Sequence, residues 1–182
     1  MYKKINPFDC TLLIIDIQEK LVGMLEKNTI AEKSAILSSA AKAINVPTIV
    51  SEQYPQGLGS TIISLKEKLP DDASFYEKNT FSAFENTEIA DALKKNNKKQ
   101  VILCGIETHI CVLQTAIDLI NNGYEVFVVQ DACASRNKNE FKLAIDRMKH
   151  SGAIITCTEM VIFELLKSSK HPKFKELQQL IK

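Results

Sequence analysis

The chain has 182 residues, 45% of them apolar, which suits one domain with a substantial buried core. Lysine plus arginine number 23 against 22 aspartate plus glutamate, so the net charge of +1 supplies no reason to expect nucleic acid or an anionic membrane as a partner. No apolar stretch approaches the roughly 18 residues that cross a bilayer.

Residues 1–7 carry two lysines but lead into no apolar block of signal-peptide length, so no secretory leader is expected. A first buried strand is predicted at 10–15, where Thr11-Leu12-Leu13-Ile14-Ile15 runs directly into Asp16. A short helical pattern at 18–25 follows, and Asp16 could serve as its cap. The next helix is predicted over Ile30–Ile44 with Thr29 as its cap, and a second strand at 46–50. Residues 51–60 are too rich in Gln, Gly and Pro for a regular helix and are read as a loop beyond that strand, where ligand contacts belong.

A weaker strand at 74–77 stops at Lys78. Asn86 is positioned to cap a helix at 88–95, whose lysines, with Lys98 and Lys99, read as a solvated helix end. Strands at 101–104, 125–129 and 153–157 alternate with helices at 112–121 and 141–150, and Gly123 marks a helix stop. Strands alternating with helices predict a three-layer α/β/α sandwich around a mainly parallel, Rossmann-like sheet of about six strands, with 1–182 as one domain.

Five cysteines, Cys10, Cys104, Cys111, Cys133 and Cys157, form an odd set without CxxC spacing, which suits a reducing cytoplasm. Cys111 stands out because it lies between a strand and a helix, where the helix dipole favours a thiolate. In an open parallel sheet, residues just past the carboxyl ends of the strands converge on one crevice. Asp16, Lys78 and Cys111 all stand at such ends, as a base, a cation and a nucleophile would. The three histidines, His109, His150 and His171, show no ligand spacing, so no metal and no other cofactor are expected. His109 stands two residues from Cys111 at a helix start, which points the two side chains apart. P-loop, GxGxxG and G-x-S-x-G patterns are missing.

The constellation of Asp16, Lys78 and Cys111 resembles the isochorismatase-like cysteine hydrolases, a superfamily that includes nicotinamidases and N-carbamoylsarcosine amidases. The similarity runs from Asp16 to 171–176 and is nearest to the isochorismatase-domain-containing branch at 52–59, 104–107 and 131–133. The resemblance implies an Asp16–Lys78–Cys111 triad that hydrolyses a small amide or related carbonyl compound through a Cys111 thioester. It also implies an oxyanion hole from the backbone N–H groups of Glu107 and Cys111, a cis peptide at Ile106-Glu107, and a homo-oligomer. Nicotinamidases commonly have a small residue at the Glu107 position and an Asp-x-His metal cluster after the second strand, whereas this chain has Ser51-Glu52-Gln53-Tyr54 there. Gln18, Gln53, Tyr54, Phe81 and Ser82 are candidate pocket residues, Phe84 a candidate for core or wall. Isochorismatase-type vinyl-ether hydrolysis, with Asp16 as acid and the thiol idle, and a non-catalytic binding or scaffolding role on the same fold are the alternatives.

Overall fold

A computed structural model describes residues 3–26 and 29–182 of the protein. Among the described residues, the six strands are β1 (Cys10–Ile15), β2 (Thr48–Gln53), β3 (Ser74–Lys78), β4 (Gln100–Ile106), β5 (Glu125–Ala134) and β6 (Ile154–Thr156). The helices are α1 (Glu19–Gly23), α2 (Ile30–Ile44), α3 (Pro55–Leu58), α4 (Ile63–Lys66), α5 (Thr87–Asn96), α6 (Leu113–Asn121), α7 (Lys138–His150), α8 (Thr158–Leu166) and α9 (Phe174–Gln179). A π-turn, Thr108–Val112, joins β4 to α6.

The strands form one sheet in the order β3-β2-β1-β4-β5-β6, and every neighbouring pair is parallel. β1 and β4 are buried along their whole length, because both faces of a parallel sheet are covered by the crossover helices. The order reverses between β1 and β4, which opens a crevice beyond their carboxyl ends. Asp16 stands at the end of β1, and Glu107 and Cys111 follow β4.

Local chemistry accounts for some of these boundaries. Asn86 caps α5 through Oδ1, which accepts from the Ile89 amide at 3.1 Å. Thr29 does not cap α2; its hydroxyl donates instead to the Asp131 carbonyl at 3.4 Å. The 51–60 stretch is less irregular than its composition suggests, since β2 continues to Gln53 and Pro55 starts the single turn α3. β5 runs on to Ala134, past a register shift in its pairing with β4 between Leu103 and Gly105. Gly105 has φ 152° at that shift, and a Cβ there would stand 2.3 Å from the Ile15 carbonyl oxygen, so glycine is what lets β4 approach β1.

The main core lies on both faces of the sheet. A smaller apolar cluster of Ile36, Ala40, Ile162, Leu166 and Leu177 joins α2, α8 and α9. In α8, Val161 and Ile162 are buried, whereas Met160 and Phe163 are exposed. No helix among the described residues is long and apolar enough to cross a membrane.

Candidate active site

Three chain reversals beyond the strand ends build the site, and each uses a left-handed residue other than glycine: Asp16 (φ 53°), Tyr54 (φ 37°) and Glu107 (φ 54°). Such conformations are costly for residues with a Cβ and persist where the surroundings enforce them. At Asp16 the backbone is pinned by its amide donating to Ser51 O at 3.1 Å and its carbonyl accepting from the Gln18 amide at 2.8 Å. The Ile106–Glu107 peptide is trans, against the expectation of a cis bond, and the turn out of β4 is made by the left-handed Glu107.

Lys78 and Asp16 form an ion pair with Nζ to Oδ2 at 2.8 Å, and both side chains are 0% exposed. A buried lysine needs its other donors satisfied. Lys78 Nζ donates to Gln53 Oε1 at 2.6 Å and also reaches the carbonyls of Thr80 and Phe81 at 3.1 and 3.2 Å. The second carboxylate oxygen, Asp16 Oδ1, accepts from Ser51 Oγ at 2.7 Å. The surface role open to Lys78 and the cap role open to Asp16 are therefore not the ones adopted; Gln18, at the start of α1, has no side-chain cap.

Cys111 lies in the π-turn at 6% exposure, close enough to Asp16 and Lys78 for both charges to act on its thiol. Thr115 ties this turn to the Lys78 loop, since its hydroxyl donates to the Cys111 carbonyl at 2.6 Å and accepts from the Ala83 amide at 2.9 Å. The thiol is not the acidic one that a helix start suggests. Burial pushes its pKa up to about 12, the Asp16 charge adds to this, Lys78 opposes it, and Glu107 raises it further. Alkylation of Cys111 by iodoacetamide is accordingly expected to accelerate about tenfold per pH unit from pH 7 to 10. Peptide mapping by mass spectrometry checks this, and a plateau near pH 8 would reveal an acidic thiol instead.

Asp16 and Cys111 border a cavity of about 200 Å³ together with Gln53, Phe81, Glu107 and Arg136, on a wall that includes Leu21, Met24 and Ile110, whereas Lys78 bears on it only through Asp16. Phe81 is 56% exposed at its mouth. Other expected pocket residues are used differently. Gln18 is a bracket, its Nε2 donating to Gln53 O and Gly59 O and its Oε1 accepting from the Gln53 amide. Tyr54 lies against Gly57 with 56% of its surface exposed, Ser82 is buried, and neither lines the cavity. Phe84 packs on Tyr124 and the core. His109 faces Glu107, Ser135 and Glu140.

Sequence reasoning passed over Ser51 and Arg136. A serine inside a buried strand is a signal that could have marked the first, whereas nothing local marks Arg136, which arrives from the far end of β5. A larger cavity, about 590 Å³, opens beyond β5 and β6 beside Cys133 and Cys157, but none of Asp16, Lys78 and Cys111 lines it. Among the described residues, no cluster of three or more His, Cys, Asp or Glu side chains is arranged to hold a metal ion.

The isochorismatase domain profile matches residues 10–160. The chain belongs to the isochorismatase family. Isochorismatase domain-containing protein 2 of Xenopus laevis is 39% identical over 98% of this chain and 86% of its own length. Among solved structures, the MAR1 ribonuclease of Caenorhabditis elegans is 42% identical, with a TM-score of 0.93 over 98% of this chain and 92% of that one. The YcaC gene product of Escherichia coli, described as an octameric hydrolase of unknown specificity, is 27% identical with a TM-score of 0.89, covering 98% and 96%. YcaC from Pseudomonas aeruginosa, solved with hexane-2,5-diol and covalent acrylamide, is also 27% identical, with a TM-score of 0.86 over 100% and 98%. This isochorismatase-family chain thus shares its fold with hydrolases and brings a carboxylate, a lysine and a thiol to the sheet's switch point.

Proposed function

We propose that the protein is a cysteine hydrolase that cleaves a small amide, or a related carbonyl compound, at a non-peptide C–N bond. The observation that carries this reading is the buried Lys78–Asp16 pair at 2.8 Å beside the Cys111 thiol, at the edge of a compact cavity. Asp16 takes the thiol proton as sulfur attacks the carbonyl carbon, and transfer is coupled to attack because the buried thiol holds its proton at rest. The backbone N–H groups of Glu107 and Cys111 receive the developing oxyanion. The C–N bond then breaks, Asp16 returns the proton to the departing nitrogen, and an acyl thioester remains. Water, deprotonated by Asp16, attacks the thioester; the acid leaves and sulfur recovers the proton. Lys78 holds the carboxylate in place throughout, and no metal or other cofactor enters the scheme.

The covalent acrylamide in the P. aeruginosa neighbour supports a reactive nucleophile on this fold, because acrylamide bonds to proteins by conjugate addition of a nucleophile to its vinyl carbon. Five free cysteines fit a reducing cytoplasm, and the octameric neighbour supports a homo-oligomer. A second reading, RNA cleavage, comes from the C. elegans neighbour's description as a ribonuclease. A buried carboxylate–lysine–thiol set on a cavity of about 200 Å³ favours a compact carbonyl compound over a polynucleotide.

A mass-spectrometric screen of small amides and cellular metabolites, run beside a labelled single-stranded RNA, separates the readings. Wild type is expected to consume a small carbonyl compound that Cys111→Ala leaves intact, with the RNA uncut by either. RNA cleavage by wild type alone would favour the second reading. Turnover that survives Cys111→Ala would favour vinyl-ether chemistry, in which Asp16 is the acid. No turnover of any compound would favour a binding role.

A further inference from the structure

Each charged side chain that borders the cavity is matched by an opposite charge. Asp16 is paired with Lys78 at 2.8 Å, and Arg136 Nε lies 2.8 Å from Glu107 Oε1. Glu107 is nearly enclosed, with its side chain 8% exposed, whereas the Arg136 side chain is 55% exposed at the cavity rim. On the side away from Arg136, Glu107 Oε2 faces His109 Nδ1 at 3.2 Å, and His109 Nε2 faces Glu140 Oε2 at 3.1 Å. Apart from Gln53 and Cys111, the rest of the wall is apolar, formed by Leu21, Met24, Leu58, Phe81, Ile106 and Ile110.

A guanidinium at the mouth of an apolar cavity would by itself recruit a carboxylate, since its planar donor fork matches that group and the low dielectric strengthens the attraction. Glu107 occupies the Nε edge of that fork and cancels its charge. We propose that Glu107, acting through Arg136, makes this pocket select uncharged acyl compounds and reject those that carry a carboxylate. The proposal deepens the hydrolase reading by naming the substrate class, and it needs Cys111 as the pocket's reactive thiol but does not need turnover. Glu107 is a specificity residue here; its side chain takes no part in bond breaking.

Iodoacetamide and iodoacetate test this directly, because they are nearly the same size, react with the same thiol, and differ by one negative charge. The probe is the ratio of their rates at Cys111, read by peptide mapping and divided by the ratio for the same protein denatured. Glu107→Gln removes a charge that raises the thiol pKa, so it speeds both reagents, and the ratio cancels that effect. Wild type is expected to prefer iodoacetamide more than the denatured chain does. Glu107→Gln is expected to move the ratio about tenfold toward iodoacetate. Arg136→Gln, with its fold checked by circular dichroism, is expected to move it in the opposite direction, since Glu107 then lacks its cation at the cavity. The double variant is expected to return near the wild-type ratio.

If Glu107→Gln does not fold, the Arg136→Gln shift decides the matter. Ratios that stay together across the variants would overturn the proposal. So would a Cys111 that neither reagent reaches in the folded protein, because the thiol would then not face the cavity. Loss of hydrolysis with these shifts intact would instead refute the hydrolase reading and leave the selectivity standing.

Discussion

Asp16→Asn is expected to lower turnover of the compound that wild type hydrolyses by about 10²- to 10⁴-fold, the usual worth of a positioned general base. The substitution preserves shape and can keep both contacts of the carboxylate. Its amide oxygen replaces Oδ2 as acceptor for Lys78, and its NH₂ donates to Ser51 Oγ, whose hydroxyl proton rotates away. Lys78 loses its counter-charge but keeps Gln53 Oε1 and the carbonyls of Thr80 and Phe81. Circular dichroism and steady-state kinetics, measured on the same preparation, separate a folded variant without a base from an unfolded one. A folded Asp16→Asn protein that turns over at the wild-type rate would remove Asp16 from the chemistry, even with Cys111 essential.

Lys78→Met is expected to destabilise the protein by about 3–5 kcal/mol, because it leaves the Asp16 carboxylate fully buried without its ion partner. Methionine follows the aliphatic stem of lysine closely, so the loss reports charge rather than packing. The midpoint of urea unfolding checks the magnitude. Adding Asp16→Asn to Lys78→Met is expected to recover much of the loss, since no unpaired charge is then buried, and the double variant should fall short of the sum of the singles by more than 1 kcal/mol. Additive losses would mean that the two groups do not depend on each other.

The framework was legible because apolar runs report burial. β1 at Cys10–Ile15 and α2 at Ile30–Ile44 coincide with the expected segments, and the alternation of strands with helices carried the parallel sheet. The residues Asp16, Lys78 and Cys111 could be picked out for the same reason: each stands at or shortly past the end of a strand, and the topology delivers strand ends to one crevice. What short-range pattern could not reveal is where a polar side chain is spent. Gln18 looked available for a ligand, yet three backbone groups from β2 and the α3 turn consume its amide. Glu107 and Arg136 meet across two strands, and no local rule pairs them. The thiol pKa followed the same logic, because burial beside two carboxylates outweighs a nearby helix start.

The most direct measurement is the mass of the intact protein after rapid acid quenching during turnover of a small amide that the screen identifies. If Cys111 forms the thioester, wild type gains the mass of the amide less its departing ammonia or amine, the adduct maps to the peptide carrying Cys111, and Cys111→Ala gains nothing. Sustained hydrolysis with no such adduct, or hydrolysis at the wild-type rate by Cys111→Ala, would contradict the assignment of Cys111 as nucleophile.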